Sequence, residues 1–435
     1  METRDMLWSG WGDPDRAAPL PEAVVGLLRD LLGVRTGDAP PVDLAGVTPA
    51  EPRLEADELG ALAEAAGGAE HVRTDAETRV RHTRGKSTPD LLRVRAGETS
   101  AAPDAVVLPG GHDEVLAVLR ACAAHRIAVV PFGGGTSVVG GLAPEGARRF
   151  VALDLRRMDA LVSVDAESRT AVLQPGLRGP DAEALLAEHG YTLGHFPQSY
   201  EWATIGGFAA ARSSGQASAG YGRFDDMVVG LTVATPEGPL DLGRAPKSAA
   251  GPDLRQLVLG SEGAFGVITS VTVRIHPIPE ERAYEGWRFA SFAEGAAALR
   301  RLAQDGPLPA VLRLSDETET MIGLADPAAL APVPAPPAAS PCSASEGRPR
   351  RSPTGAPAPP GRCSTRAANR SAPNPARSGR TAASTPRTCA IRCWTSARSS
   401  RRWRPPGSGR GSPSCTRPSG TRSSAPCPAP ARRPS

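Results

Sequence analysis

The chain has 435 residues, rich in proline (45) and glycine (47), with 50 basic against 46 acidic side chains. That length holds two or three domains. The near-neutral total hides a split, because residues 331–435 carry 19 arginines, one acid (Glu346), no leucine and no lysine, while the rest holds 31 basic and 45 acidic residues. The basic surplus belongs to the tail, which excludes nucleic-acid binding as the reading of the acidic body.

Residues 21–33 predict a helix, with Pro21 at its start, Gly33 at its stop and Val24, Leu27, Leu28 and Leu31 on one face. Residues 55–66 predict a second, acidic helix. The basic stretch at residues 81–92 reads as a solvated loop, with contact of Arg84 or Lys86 to an anionic substrate or cofactor phosphate as the alternative. Strand, helix and strand follow at residues 105–108, 112–125 and 127–132. Val115, Leu116, Leu119 and Cys122 share the helix face, and Asp113 favours its N-terminus. Residues 150–155, 161–164 and 170–173 predict further strands, and Pro180 to Gly190 bound another helix. Short strands with interspersed helices give an α+β fold rather than a doubly wound parallel sheet.

The most informative stretch is Pro131, Phe132, Gly133, Gly134, Gly135, Thr136 and Ser137. A buried strand broken by three glycines frees the backbone to approach a ligand. Successive N–H groups in such a turn make an anion site, and Thr136 and Ser137 add hydroxyl donors. That chemistry suits a pyrophosphate. The loop is no P-loop, because the Gly-Lys-Ser/Thr ending is absent. Nor is it a Rossmann fingerprint, because Val138 holds the third glycine position, and the residues that follow read poorly as a helix.

This loop resembles the phosphate loop of the FAD-binding, vanillyl-alcohol-oxidase-like flavoproteins, and two later segments resemble the alkyldihydroxyacetonephosphate synthase branch. They are GHFPQSYEWATIGGFAAARSSG from Gly194 and GPDLRQLVLGSEGAFGVITSVTVRI from Gly251. The resemblance covers roughly residues 75 to 330 together with the Trp8 and Trp11 region. It implies a two-lobed FAD-binding domain at residues 76–280, after an N-terminal helical segment (1–75) and before the start of an α+β cap domain (281–330). It also implies FAD contacts from the phosphate loop, from Gln198, Ser199, Thr204, Gly206, Gly207, Ala211, Arg212, Ser213 and Ser214, and from Glu262, Gly263, Ala264, Phe265, Gly266, Val267 and Ile268. His195 reads as a satisfied turn histidine or a polar neighbour of the flavin ring. Arg313 falls where the family places an arginine facing the substrate, and its planar fork suits a phosphate or carboxylate.

The implied activity is exchange of the acyl group of acyl-dihydroxyacetone phosphate for an alkyl group. The alternatives are FAD-dependent oxidation of 2-hydroxy acids such as D-lactate or glycolate, and a non-catalytic FAD-binding fragment. No catalytic residue is assigned, since the family's tyrosine and histidine cluster has no counterpart here. The Arg/Pro/Ser-rich tail at 331–435 cannot offset its ordering entropy by burial. It reads either as natural disordered sequence or as a change of reading frame near residue 331, which would leave the cap incomplete. Cys389 and Cys393 lack zinc spacing and a nearby histidine, so no metal is expected. With no signal-peptide core or membrane span, a cytoplasmic protein acting on a small molecule is expected, and the reading allows a homodimer and peripheral membrane contact.

Overall fold

The computed structural model describes residues 5–35, 41–144, 146, 149–324, 365–366 and 389–397, the last two segments and residues 23, 31 and 321–324 as backbone only. The chain divides into Met1–Arg398 and Ser399–Ser435, and the second unit lies outside the described residues.

The first lobe is a four-stranded sheet in the order β1 (Val72–Arg73), β2 (Ala105–Val107), β4 (Phe150–Asp154), β3 (Ala128–Phe132). β2, β4 and β3 run parallel, and helix His112–His125 makes the crossover that this requires. Val115, Leu119 and Cys122 of that helix pack on Val107, Val151 and Leu153, with helix Ala56–Ala65 adding Leu62. Burial pushes the Cys122 thiol up to about 12, so it packs as a small hydrophobe.

The second lobe is a five-stranded antiparallel sheet ordered β5 (Leu161–Asp165), β6 (Thr170–Leu173), β10 (Val267–Arg274), β8 (Val228–Thr235), β9 (Gly238–Leu242). Its core gathers Leu173, Leu186, Ile205, Phe208, Phe224, Met227, Val271 and Val273. A short pair, β7 (Tyr191–Thr192) with β11 (His276–Pro277), closes its end. Neighbouring residues of β10 tie the lobes together: Val267 enters the first core and Ile268 the second.

Beyond Pro277 come β12 (Glu281–Phe289), helix Phe292–Asp305 and β13 (Val311–Ser315). β14 (Thr365–Arg366) pairs with β12, and β15 (Cys389–Ala397) lies antiparallel between β12 and β13. The rest of the tail reading lies outside the described residues. Among those residues no helix is long and apolar enough to cross a membrane, and no cluster of metal-ligating side chains forms.

One expectation is corrected. Residues 81–92 are not a solvated loop: His82 and Thr83 are buried, and Thr88–Arg95 is a helix. Ser87 caps it by accepting the Asp90 N–H at 3.1 Å, and Pro89 stands in its first turn.

Candidate functional site

The glycine loop leaves the C-terminal edge of the parallel sheet, where Phe132 pairs with Asp154. Asp154 is fully buried. It accepts from His82 Nε2 at 2.8 Å and from Arg156 Nε at 2.7 Å, while His82 Nδ1 donates to Thr78 O at 2.7 Å. Burial would raise the Asp154 carboxyl, but the hydrogen bond and charge of His82 and the charge of Arg156 hold it below its ordinary value. The His82 ring lies on Phe132, centroids 4.2 Å apart, so the charged cluster forms the floor under the loop.

The second motif closes against the loop from the other lobe. A side chain at Gly133 would strike the Thr204 hydroxyl, and one at Gly134 would fall inside the Trp202 carbonyl. Gly135 has φ +67° and turns the chain beside the Phe132 ring. Thr204 is buried and caps helix Ile205–Ala210 through Gly207 N at 3.3 Å. Gly206 lies close on Pro175, donating to its carbonyl at 2.8 Å. The Arg178 guanidinium sits 5.4 Å from the Trp202 ring centroid. Gln198, Gly207, Ala211 and Ser214 are exposed, and Ser199 and Ser213 half-buried.

The third motif meets the same loop. A Cβ on Gly263 (φ +91°) would come 2.7 Å from Pro131 Cγ, and the side chain of Glu262 reaches Gly141. A cavity of about 230 Å³ opens here between Pro131, Val129 and residues 263–267. Ala264 and Phe265 are exposed at its rim and Gly266 is half-buried, while Val267 and Ile268 send their side chains into the cores and offer only main chain. Arg212 braces the second motif on the third: Nε donates to Leu259 O at 2.8 Å and Nη2 to Gln256 O at 2.7 Å. Glu262 N donates to Ala210 O at 3.1 Å. Arg212 and Glu262 both hold left-handed backbone, φ 47° and 50°, the strained geometry that clusters at functional sites.

Among the described residues, no acceptor takes the main-chain N–H of Gly133, Gly134, Gly135, Thr136 or Ser137, and the Ser137 hydroxyl is buried without a partner. Five unclaimed donors and an orphan hydroxyl in one turn fit an anionic group of diphosphate size. FAD carries such a group, so the residues present fit it.

Arg84 and Lys86 are committed elsewhere. Arg84 Nη2 donates to Glu98 at 2.7 Å, and Lys86 Nζ to the carbonyls of Leu7 and Trp8. Arg313 is exposed on β13 and paired with Glu319. Along that strand Leu314 packs on Gly295 of the adjacent helix, so Arg313 shares the opposite face with Val311, which joins Phe196 and Tyr221 in packing on Ala217 and Ala310 beside the second motif. The sequence reading missed the His82 and Asp154 floor. Its only signal was a histidine beside an arginine-rich turn, far in sequence from its partner.

His195 lies between Phe208 and Phe224, centroids 4.8 and 5.1 Å away, with Nε2 3.1 Å from Ser213 Oγ and Nδ1 buried without a partner among the described residues. Burial pushes its pKa down to about 4, so the ring is neutral near pH 7. The unfolded chain takes up this proton near pH 6.5 and the folded chain only near 4. Stability present above pH 6.5 is therefore lost as pH falls through that window, by about 3 kcal/mol. His195→Gln should lack this increment, so urea unfolding at pH 7 and pH 4.5 should show a steeper acid loss for the native chain. Parallel losses would contradict it.

Residues 103–241 match the family model of an FAD binding domain, and residues 278–346 that of the C-terminal domain of FAD linked oxidases. The chain is similar to alkyldihydroxyacetonephosphate synthase of Trypanosoma brucei brucei, 40% identical over 259 residues, which are 59% of this chain and 42% of that protein. It is also similar to the mitochondrial D-lactate dehydrogenase (cytochrome) of Arabidopsis thaliana, 34% identical over 220 residues, 50% of this chain and 38% of that one. A solved alkyldihydroxyacetonephosphate synthase structure superposes with a TM-score of 0.66 at 32% identity, over 73% of this chain and 62% of the other. The chain spans about two fifths of the length of these curated relatives.

Proposed function

We propose, for a chain that carries an FAD-binding domain of vanillyl-alcohol-oxidase type joined to the start of an FAD-linked-oxidase C-terminal domain, that it holds FAD at the meeting of its three glycine motifs and acts as an alkyldihydroxyacetonephosphate-synthase-like enzyme. The observation that carries this reading is the row of unclaimed N–H groups at residues 133–137, closed on one side by Trp202, Ala203 and Thr204, with Gly263 of the third motif against Pro131 at its entry.

Bound there, FAD would supply the electrophilic ring. The chain's own work is positional. The main chain of residues 133–137, with the Thr136 and Ser137 hydroxyls, holds the diphosphate. The cavity beside residues 263–267 takes the adenine end through backbone groups. The second motif, from Gln198 to Ser214, lines the flavin side, with Arg212 fixing its distance from the third. Arg313, released from Glu319, pairs bidentately with the phosphate of the acyl-dihydroxyacetone phosphate. The neutral His195 ring offers no charge at pH 7.

Oxidation of a 2-hydroxy acid is the second reading, because the same arginine suits a carboxylate and half of the chain is similar to a D-lactate dehydrogenase. Cytoplasmic location and a homodimer complete the proposal. The test is turnover of acyl-dihydroxyacetone phosphate with a labelled long-chain alcohol, alongside D-lactate and glycolate with an artificial electron acceptor. Exchange is expected, and Arg313→Ala should lower its kcat/KM about 10- to 100-fold, the worth of a charge-assisted pair. Turnover of the hydroxy acids alone would move the assignment to the second reading. A flavin-loaded chain that turns over neither is the non-catalytic FAD-binding protein.

A further inference from the structure

The anion chemistry proposed for the loop does not explain why Lys86 is where it is. This lysine is half-buried, and among the described residues its ammonium group meets carbonyls and no carboxylate, so hydrogen bonds alone offset its desolvation. Its Nζ donates to Leu7 O at 2.9 Å and Trp8 O at 2.7 Å. Its main-chain N–H donates to Ser137 O at 2.6 Å, at the end of the glycine loop. The contact is so close that a side chain on the preceding Gly85 would fall on the Ser137 carbonyl. One residue therefore bridges the N-terminal segment and the loop.

That segment is pinned at two further points. Arg95 Nε donates to Ser9 O at 2.8 Å, and Asp5 pairs with Arg156 at 3.5 Å, where Arg156 also binds the buried Asp154. Leu7 N donates to Gly12 O at 2.9 Å and closes residues 7–12 into a turn. Three basic residues from three places in the first lobe thus hold one short segment, and two of them belong to structures that shape the loop. Burial, with the charges of Arg81 and Arg95, pushes the Lys86 amine down to about 8, as expected of an ammonium held by carbonyls alone.

We propose that residues 5–12 are a strap that fixes the Ser137 end of the glycine loop in its ligand-holding geometry, with Lys86 as the positioning residue that transmits the hold. The inference rests on the loop being the FAD diphosphate site. Without the latch, Ser137 and the adjoining N–H groups sample other orientations, and each binding event must order them again.

The test compares native protein with Lys86→Met, Arg95→Gln and a chain lacking residues 1–12. One readout is the FAD release rate of loaded protein, followed by the recovery of flavin fluorescence. The other is hydrogen exchange of the FAD-free peptide around residue 86. Lys86→Met and the shortened chain should each release FAD about tenfold faster, the size of one buried charge-assisted hydrogen bond, and should exchange the residue 86 amide faster. Arg95→Gln should shift both readouts in the same direction by less. Arg16→Ala, on the surface of the N-terminal region, should change neither. Native release and exchange rates in the shortened chain would overturn the strap, even if Lys86→Met were impaired or failed to fold. Native protein that binds no FAD would sink the cofactor reading instead, and the exchange of the FAD-free peptide would still decide the strap.

Discussion

Gly134→Ala is expected to abolish stoichiometric FAD binding while leaving both lobes folded. Gly134 has no positive φ to preserve, so the substitution acts through space alone. The added Cβ would fall inside the Trp202 carbonyl, 2.7 Å from its carbon and 3.0 Å from Ala203 Cα. These are backbone atoms held by Trp202 N and Ala203 N, both donating to Ser199 O, so no flexible side chain can swing away. The loop and the second motif must separate, and the donors of residues 133–137 lose their common focus. An oriented site that opens by an ångström forfeits much of its affinity, so FAD should bind at least about 100-fold more weakly. Gly140→Ala is the control. Its φ is +81° with nothing within 4 Å of the new methyl, so the cost should be about 1 kcal/mol of backbone strain with FAD binding retained. Equal FAD affinity in the Gly134 variant would refute the packing argument.

The second large effect is expected at the floor of the loop. Asp154→Asn keeps the volume but removes the charge that pairs with His82 and Arg156 in a fully buried place. Taking one partner from such a cluster leaves the others uncompensated, at a cost of about 3–5 kcal/mol. The variant should unfold at a markedly lower urea concentration at pH 7. Its deficit should shrink in acid, because the native carboxyl is held below its ordinary value and its stabilisation is present above pH 4 and lost as pH falls further. A change under about 1 kcal/mol at pH 7 would mean that the cluster carries no net stability.

How much of this was legible in the sequence depends on the range of the interactions. The helix at residues 112–125 and the strand before the glycines read directly, because their apolar periodicity is local. The loop's stock of backbone and hydroxyl donors also read directly, since it follows from glycine, threonine and serine content. The helix Thr88–Arg95 was hidden by its charge and by Pro89, although Ser87 three residues before Asp90 is a start signal. The hairpin β8 and β9 was missed for a different reason. β8 is buried along most of its length and lacks the alternation that marks a half-exposed strand. Long-range pairs were out of reach. His82 with Asp154, Lys86 with Leu7 and Arg212 with Gln256 are separated by up to 79 residues and repeat no pattern. The three motifs named by the resemblance meet in the fold. The resemblance placed Arg212 among the cofactor contacts, whereas its guanidinium is spent on the Leu259 and Gln256 carbonyls.

The FAD diphosphate site proposed here is the loop at residues 133–137. Its most direct test is titration of the flavin-free chain with FAD and, separately, with FMN, followed by flavin fluorescence, with the Gly134 variant in parallel. One FAD per native chain, FMN bound far more weakly for want of the diphosphate and adenine, and no FAD taken up by the variant is the result expected. Equal affinity for FAD and FMN, or FAD taken up equally by the variant, would contradict it.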